Sequence, residues 1–157
     1  DSLFLNTTAA KYDSGGTNFT TTVFNPYDTA NTSGYTGVAY CFAPVAGYSS
    51  FGSYTGNGST DGPFVFCNFR PRWVMIKNSS AADDWTIWDT ARGTYNLNEP
   101  YLVPNTSSAE GTSAVARLDT LSNGFKIRGT WAGINGSSNT IIYAAFAENP
   151  FSIARAR

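Results

Sequence analysis

Residues 73–89 read WVMIKNSSAADDWTIWD. The first five alternate: Trp73, Met75 and Lys77 share one face, and Val74 and Ile76 take the other. That is the period-2 pattern of a strand. Asp84–Asp89 alternates again, with Trp85 and Ile87 opposite Thr86 and Trp88. The short link between the two runs is made of small polar residues and alanines, which suits a turn between strands.

The same pattern recurs outward from this pair. Thr20–Phe24 reads as a strand bounded by Asn25-Pro26. Gly37–Ala43 reads as a buried strand ended by Pro44. Phe51–Thr55 leads into Gly56-Asn57-Gly58, a turn dense in residues that tolerate positive φ. Phe64–Phe69, Phe125–Gly129 and Thr140–Phe146 complete the set, with Gly133 and Asn135-Gly136 marking the last turn. Ser107–Leu118 is the one stretch able to hold a short helix, and Gly111 weakens it. Many short strands at close spacing predict an all-β fold, an antiparallel β-sandwich of jelly-roll or lectin-like type with a short helix or none.

Composition supports this class. The 157 residues suffice for one sizeable core. Thr, Ser and Asn contribute 19, 16 and 14 residues, and aromatics reach 15%, whereas charged residues are only 13%. Average proteins carry roughly 25% charged residues, so polarity here comes from small neutral side chains. With ten basic and eleven acidic residues there is no basic field to hold phosphates, which argues against nucleic acid as a partner. No apolar run has the roughly 18 residues that membrane insertion needs. The chain has no histidine, which removes the commonest general base and most zinc sites. Cys41 and Cys67 sit in apolar strand-like runs, so they read either as small buried thiols or as a disulfide pair.

An internal repeat organises the chain. LFLNTTAA at 3–10 resembles YLVPNTSSA at 101–109, and Phe42-Ala43 matches Phe146-Ala147. The match predicts that residues 1–48 are the second half of a related unit, or strands completing the sandwich, and that 49–157 are a complete repeat. On this expectation the first half of the earlier unit lies upstream of Asp1.

Residues 51–78, FGSYTGNGSTDGPFVFCNFRPRWVMIKN, followed by DDWTIWDTAR at 83–92, resemble a recurrent module of tailed-phage and environmental-virus structural proteins. In that family a Tyr/Gly-rich turn precedes a strand pair of the form GFxPxW, and further strands follow in fixed order. The corresponding segments here are Asn68–Trp73, Trp85–Arg92, Tyr101–Glu110, Asp119–Gly129 and Ile142–Phe151. One departure is Asn68, where the family usually has Gly. The resemblance implies a lectin-like sandwich repeated in tandem within tail or fibre proteins of the virion, with the tail favoured over the capsid, and with no established catalytic site.

The expected function is therefore that of a virion structural protein contacting the host surface. The alternative is a decoration or filament-forming subunit with no ligand. Sugar binding asks for exposed rings flanked by short polar side chains. Trp131, Trp88 and Tyr95 are the candidate rings, with Asn135, Asn96 and Asn98 nearby in sequence. Trp73 and Trp85 read as core or subunit interface. Asp83, Asp84 and Asp61 read as solvated turn residues: the spacing fits no calcium loop, and adjacent carboxylates on a strand point apart. The expectation is a non-enzyme with no catalytic residue, cofactor or metal. Its expected partners are further copies of itself (a trimer favoured), other virion proteins and a host glycan or protein.

Overall fold

A computed structural model of the chain describes residues 1–13, 20–23, 33–34 and 36–150. Seven strands lie within these: β1 Ser49–Thr55, β2 Phe64–Phe66, β3 Pro71–Asn78, β4 Trp85–Asp89, β5 Leu118–Leu121, β6 Gly124–Ile127 and β7 Thr140–Ala147. One short helix, α1, spans Ala132–Asn135. All strand pairs are antiparallel. They form a four-stranded sheet in the order β1-β7-β3-β4 and a three-stranded sheet in the order β2-β6-β5. The chain is an all-β sandwich.

Register explains which residues enter the core. Val74 lies opposite Trp88 on β4 and Ala145 on β7, and Ile76 lies opposite Thr86 and Tyr143. On the smaller sheet Val65 pairs with Phe125, which pairs with Thr120, and Leu118 pairs with Ile127. Directly opposed residues share a face, so these two sets meet between the sheets. Val74, Ile76, Trp88, Leu118, Phe125, Ile127, Ile134, Ile141 and Ala145 are all buried there. Each large aliphatic or aromatic member contributes about 1.5–3 kcal/mol by leaving water. Tyr143 and Tyr54 stand edge-on to Phe125 at 5.4 and 6.3 Å. Such T-shaped contacts join the sheets with the favourable ring orientation.

Several turns require specific residues. Leu121 faces Gly124 across a two-residue hairpin loop, Ser122-Asn123. A Cβ on Gly124 would lie 2.0 Å from the Val65 carbonyl oxygen, so only glycine lets β2 approach β6 there. Asn68 adopts φ 64°, a left-handed conformation that asparagine tolerates better than most residues. That accounts for Asn standing where the resembling family has Gly.

Several expectations are corrected, and the cysteine alternatives are decided. Gly37–Ala43 is not a buried strand: Val38, Tyr40 and Phe42 are 81%, 82% and 67% exposed, and no ladder pairs the segment among the described residues. Ser107–Leu118 forms no helix. Its chain is spent on an isolated bridge from Tyr101 to Gly111, a turn and the start of β5. Both cysteines are free: Cys67 is the buried thiol that one alternative expected, whereas Cys41 is exposed. Trp88 is 1% exposed, because its place opposite Val74 turns it into the core, and it is not a surface ring. Of the predicted strand Thr20–Phe24, residues 20–23 form a bend, and Phe24, Asn25 and Pro26 lie outside the described residues.

The outer face of the larger sheet is also apolar. Trp73, Met75, Phe51, Ile142, Phe146, Trp85 and Ile87 occupy it, all half-buried. Two segments lie along it. In the first, the Trp85 indole donates to the Phe4 carbonyl at 2.9 Å and Asp83 N–H donates to Thr8 O at 2.8 Å. In the second, the Phe42 ring sits 5.9 Å from Phe51 and 6.1 Å from Phe146. Lys77 is buried beneath the first segment, its ammonium donating to Asn78 O, Thr8 O and Ala81 O at 2.6, 3.3 and 3.4 Å. Burial lowers the Lys77 pKa, and the Asp83 and Asp84 carboxylates oppose that shift.

Candidate functional site

One end of the sandwich is built by two loops, 56–62 and 128–139. The side chain that joins them is Asn135, which is fully buried. Its Oδ1 accepts from Asn57 N–H at 2.9 Å, and its Nδ2 donates to Ser59 O at 2.7 Å and Gly129 O at 2.9 Å. The loop 56–62 is then closed on itself. Asn57 Oδ1 accepts from Ser59 N–H at 3.0 Å, and Asn57 Nδ2 donates to Asp61 O at 2.9 Å. Lys126 anchors its far side, reaching Asp61 at 2.8 Å and Gly62 O at 2.9 Å. That contact lowers the pKa of the Asp61 carboxyl. Asn135 thus holds a loop scaffold in place and has no surface to offer a ligand, which corrects its place among the binding candidates.

Trp131 opens the helix above this scaffold. Its backbone is fixed by a bond from its N–H to Val115 O at 2.9 Å and by accepting from Ile134 and Asn135 N–H at 3.1 and 2.8 Å. The half-exposed ring leans on Tyr101 at 6.1 Å, and Tyr101 rests on the buried Trp88 at 6.0 Å. Three aromatic residues therefore run from the core to the surface, with Trp131 at the outer end.

Beside that ring stands Asp83. Gly133 makes the approach possible: a Cβ there would lie 2.8 Å from both Asp83 Oδ1 and Trp131 Cζ2. The aromatic edge and the carboxylate therefore pack side by side against the Gly133 backbone. Asp83 Oδ1 accepts from Asp84 N–H at 3.0 Å, and Asp83 Oδ2 has no hydrogen-bond partner among the described residues. Burial pushes the Asp83 pKa up and the neighbouring Asp84 charge adds to this, while the Asp84 N–H bond and the Lys77 charge pull it back. Asp84 itself is engaged, accepting from Asn105 Nδ2 at 2.7 Å, while Asn105 Oδ1 accepts from Trp85 N–H at 2.9 Å.

The structure brings only part of the sequence-predicted set to the surface. Tyr95 is 84% exposed. The exposed Asn96 is tied to β5, donating to Thr120 O at 3.1 Å and accepting from Thr120 N–H at 2.9 Å. Asn98 is buried. Trp131 is the one predicted ring that is both rigidly supported and half-exposed, and its polar neighbour is Asp83, a residue the sequence pattern assigned to a solvated turn. Arg92 pairs with Glu110, while Asp89 pairs with Arg72 at 3.4 Å. These are exposed ion pairs that contribute about 0–1 kcal/mol each.

Fold and site together define an all-β sandwich domain that presents a ring and a carboxylate on one supported edge. The chain belongs to the family described as Domain of unknown function (DUF7483), which it matches over residues 1–150. No curated protein and no solved structure matches it. Among the described residues no helix is long and apolar enough to cross a membrane.

Proposed function

We propose that this domain is a structural module of a tailed-phage virion, belonging to a tail or fibre, that contacts the host surface through a glycan held at Trp131 and Asp83. The ordered succession of sequence motifs shared with phage structural proteins supports the virion assignment. The observation that carries the binding reading is the juxtaposition of Trp131 and Asp83 at Gly133. There a braced indole ring lies beside the Asp83 carboxyl group, whose Oδ2 has no hydrogen-bond partner among the described residues. A pyranose has an apolar face that stacks on such a ring and hydroxyls that donate to such an oxygen. Contacts of this size are individually weak, and repetition along a fibre multiplies them by avidity. The reading assigns no catalytic step, cofactor or metal to the domain, and it places further copies of the chain and other virion proteins among its partners.

The test is binding of the intact chain, fused to a fluorescent protein, to cells of candidate hosts with free glycans as competitors. Saturable binding that a sugar displaces, and that Asp83→Asn and Trp131→Ala each reduce at least tenfold with circular dichroism unchanged, is the expected result. Binding that no sugar displaces, or that both folded variants retain, overturns the glycan reading. No binding to any host cell favours the alternative, a decoration or filament subunit.

A further inference from the structure

Residues 37–43, GVAYCFA, have the composition of a strand and no sheet. Among the described residues their one hydrogen bond is at the end, where Ala43 O accepts from Ser49 Oγ at 2.9 Å. The rest of the segment presents its peptide groups and the side chains of Val38, Tyr40 and Phe42 to solvent. An extended apolar segment with unpaired backbone is a template for strand pairing. Its sequence also repeats that of β7, with Phe42-Ala43 standing for Phe146-Ala147. β7 is the strand that β1 accepts as its antiparallel neighbour, Phe146 lying opposite Ser49.

The sandwich has a matching vacancy on the other side of β1. Ser49 exchanges both its backbone bonds with Val45, at 2.9 and 3.0 Å, so its peptide groups point away from β7. Alternation then turns the N–H and C=O of Phe51 and Ser53 the same way, and neither residue has a partner on that side among the described residues. The other long edges are occupied. Ile87 on β4 exchanges bonds with Leu102, Leu118 on β5 exchanges bonds with Asn98, and Thr120 is bonded by Asn96. The remaining outer strand, β2, has only three residues. The chain's own residues 37–43 leave the β1 edge, because Phe42 is drawn over the outer face onto Phe51 and Phe146.

We infer that residues 37–43 of one copy add as an antiparallel strand to the free edge of β1 in a second copy. The partner is this same chain, and the interface is a main-chain ladder flanked by the rings of Tyr40 and Phe42. This inference stands apart from the glycan site, which lies on another edge of the sandwich.

The experiment is sedimentation velocity of the intact chain over a range of concentrations, paired with amide hydrogen exchange at each concentration. The expected result is self-association, with protection that rises with concentration at residues 38–42 and at Phe51 and Ser53 together. Ala39 and Tyr40 point their N–H groups to opposite sides of the strand, so the double variant Ala39→Pro/Tyr40→Pro removes the ladder donor whichever of the two faces the edge, and Ser53→Pro removes one from the accepting edge. Each is expected to move the monomer–oligomer midpoint at least tenfold upward with the thermal midpoint of the sandwich unchanged by the double variant. A monomer at every concentration overturns the inference, as does association that survives both variants. Protection of 37–43 that is independent of concentration also overturns it, since the segment would then be pairing within its own chain.

Discussion

Replacing Asn135 with alanine tests the claim that this residue holds up the site and does not itself form it. Alanine removes one acceptor and one amide that together make three hydrogen bonds, to Asn57 N–H, Ser59 O and Gly129 O. A typical intramolecular hydrogen bond nets about 1 kcal/mol, so the loss is about 3 kcal/mol. Asn57 and Ser59 are exposed and regain water, whereas Gly129 is buried and its carbonyl is left without a partner. For a domain of this size about 3 kcal/mol lowers the thermal midpoint by about 6–12 °C. Asn135→Asp is the sharper variant: it keeps the acceptor for Asn57 but sets a carboxylate oxygen against two carbonyls, so it should unfold earlier still. The assay is thermal and urea unfolding followed by circular dichroism, with hydrogen exchange read at residues 56–62. A shift of under about 1 kcal/mol for alanine, or an aspartate variant as stable as the parent, would refute the reasoning.

Other outcomes follow from the same geometry. The Cys67 thiol is raised to about 11 by burial, two units above its ordinary 9.0, so about 100-fold less of it is thiolate at neutral pH. A thiol-reactive dye should therefore titrate one cysteine, Cys41, in the native protein and both only after denaturation. Gly124→Ala drives a methyl into the Val65 carbonyl, a backbone atom that cannot rotate away, and should cost about 3 kcal/mol, the upper end of overpacking. Lys77→Met removes a buried cation and its bond to Thr8, so residues 1–12 should become accessible to protease while urea unfolding of the sandwich changes by under about 2 kcal/mol. Because the Asp83 carboxyl is raised in the fold, the unfolded chain binds fewer protons between its ordinary 3.8 and the folded value. Stability relative to Asp83→Asn should then fall as pH rises through that window, and urea titrations from acid to neutral pH measure it.

Much of the fold could be read in the sequence because half-buried strands advertise themselves by alternation. Trp73–Lys77 and Asp84–Asp89 are β3 and β4, each with the faces that their pattern assigned. β5, LDTL, escaped notice: it is four residues long, and Asp119 on its outer side hides the apolar pair Leu118 and Leu121. Gly37–Ala43 has the apolar run of a buried strand but pairs with no sheet among the described residues, and intrinsic preference cannot show whether a partner is present. The site was harder to read. A buried asparagine and an exposed one look alike in sequence, so Asn135 and Asn98 passed for surface groups. Trp88 was misplaced because two tryptophans stand on opposite faces of β4, and only the register with β3 decides which is inside. Asp83 meets Trp131 across 48 residues through a glycine, a proximity that no local pattern encodes.

The measurement closest to the central claim is a two-dimensional amide and indole NMR titration of the intact chain with oligosaccharides from the surface of a host it binds. The account predicts saturable shifts confined to the Trp131 indole N–H, Gly133 and Asp83, with affinity falling as acid protonates Asp83. It predicts no change at the buried Trp88 indole. Shifts that instead gather at Tyr95, or an unmoved Trp131 signal at saturating sugar, would contradict it.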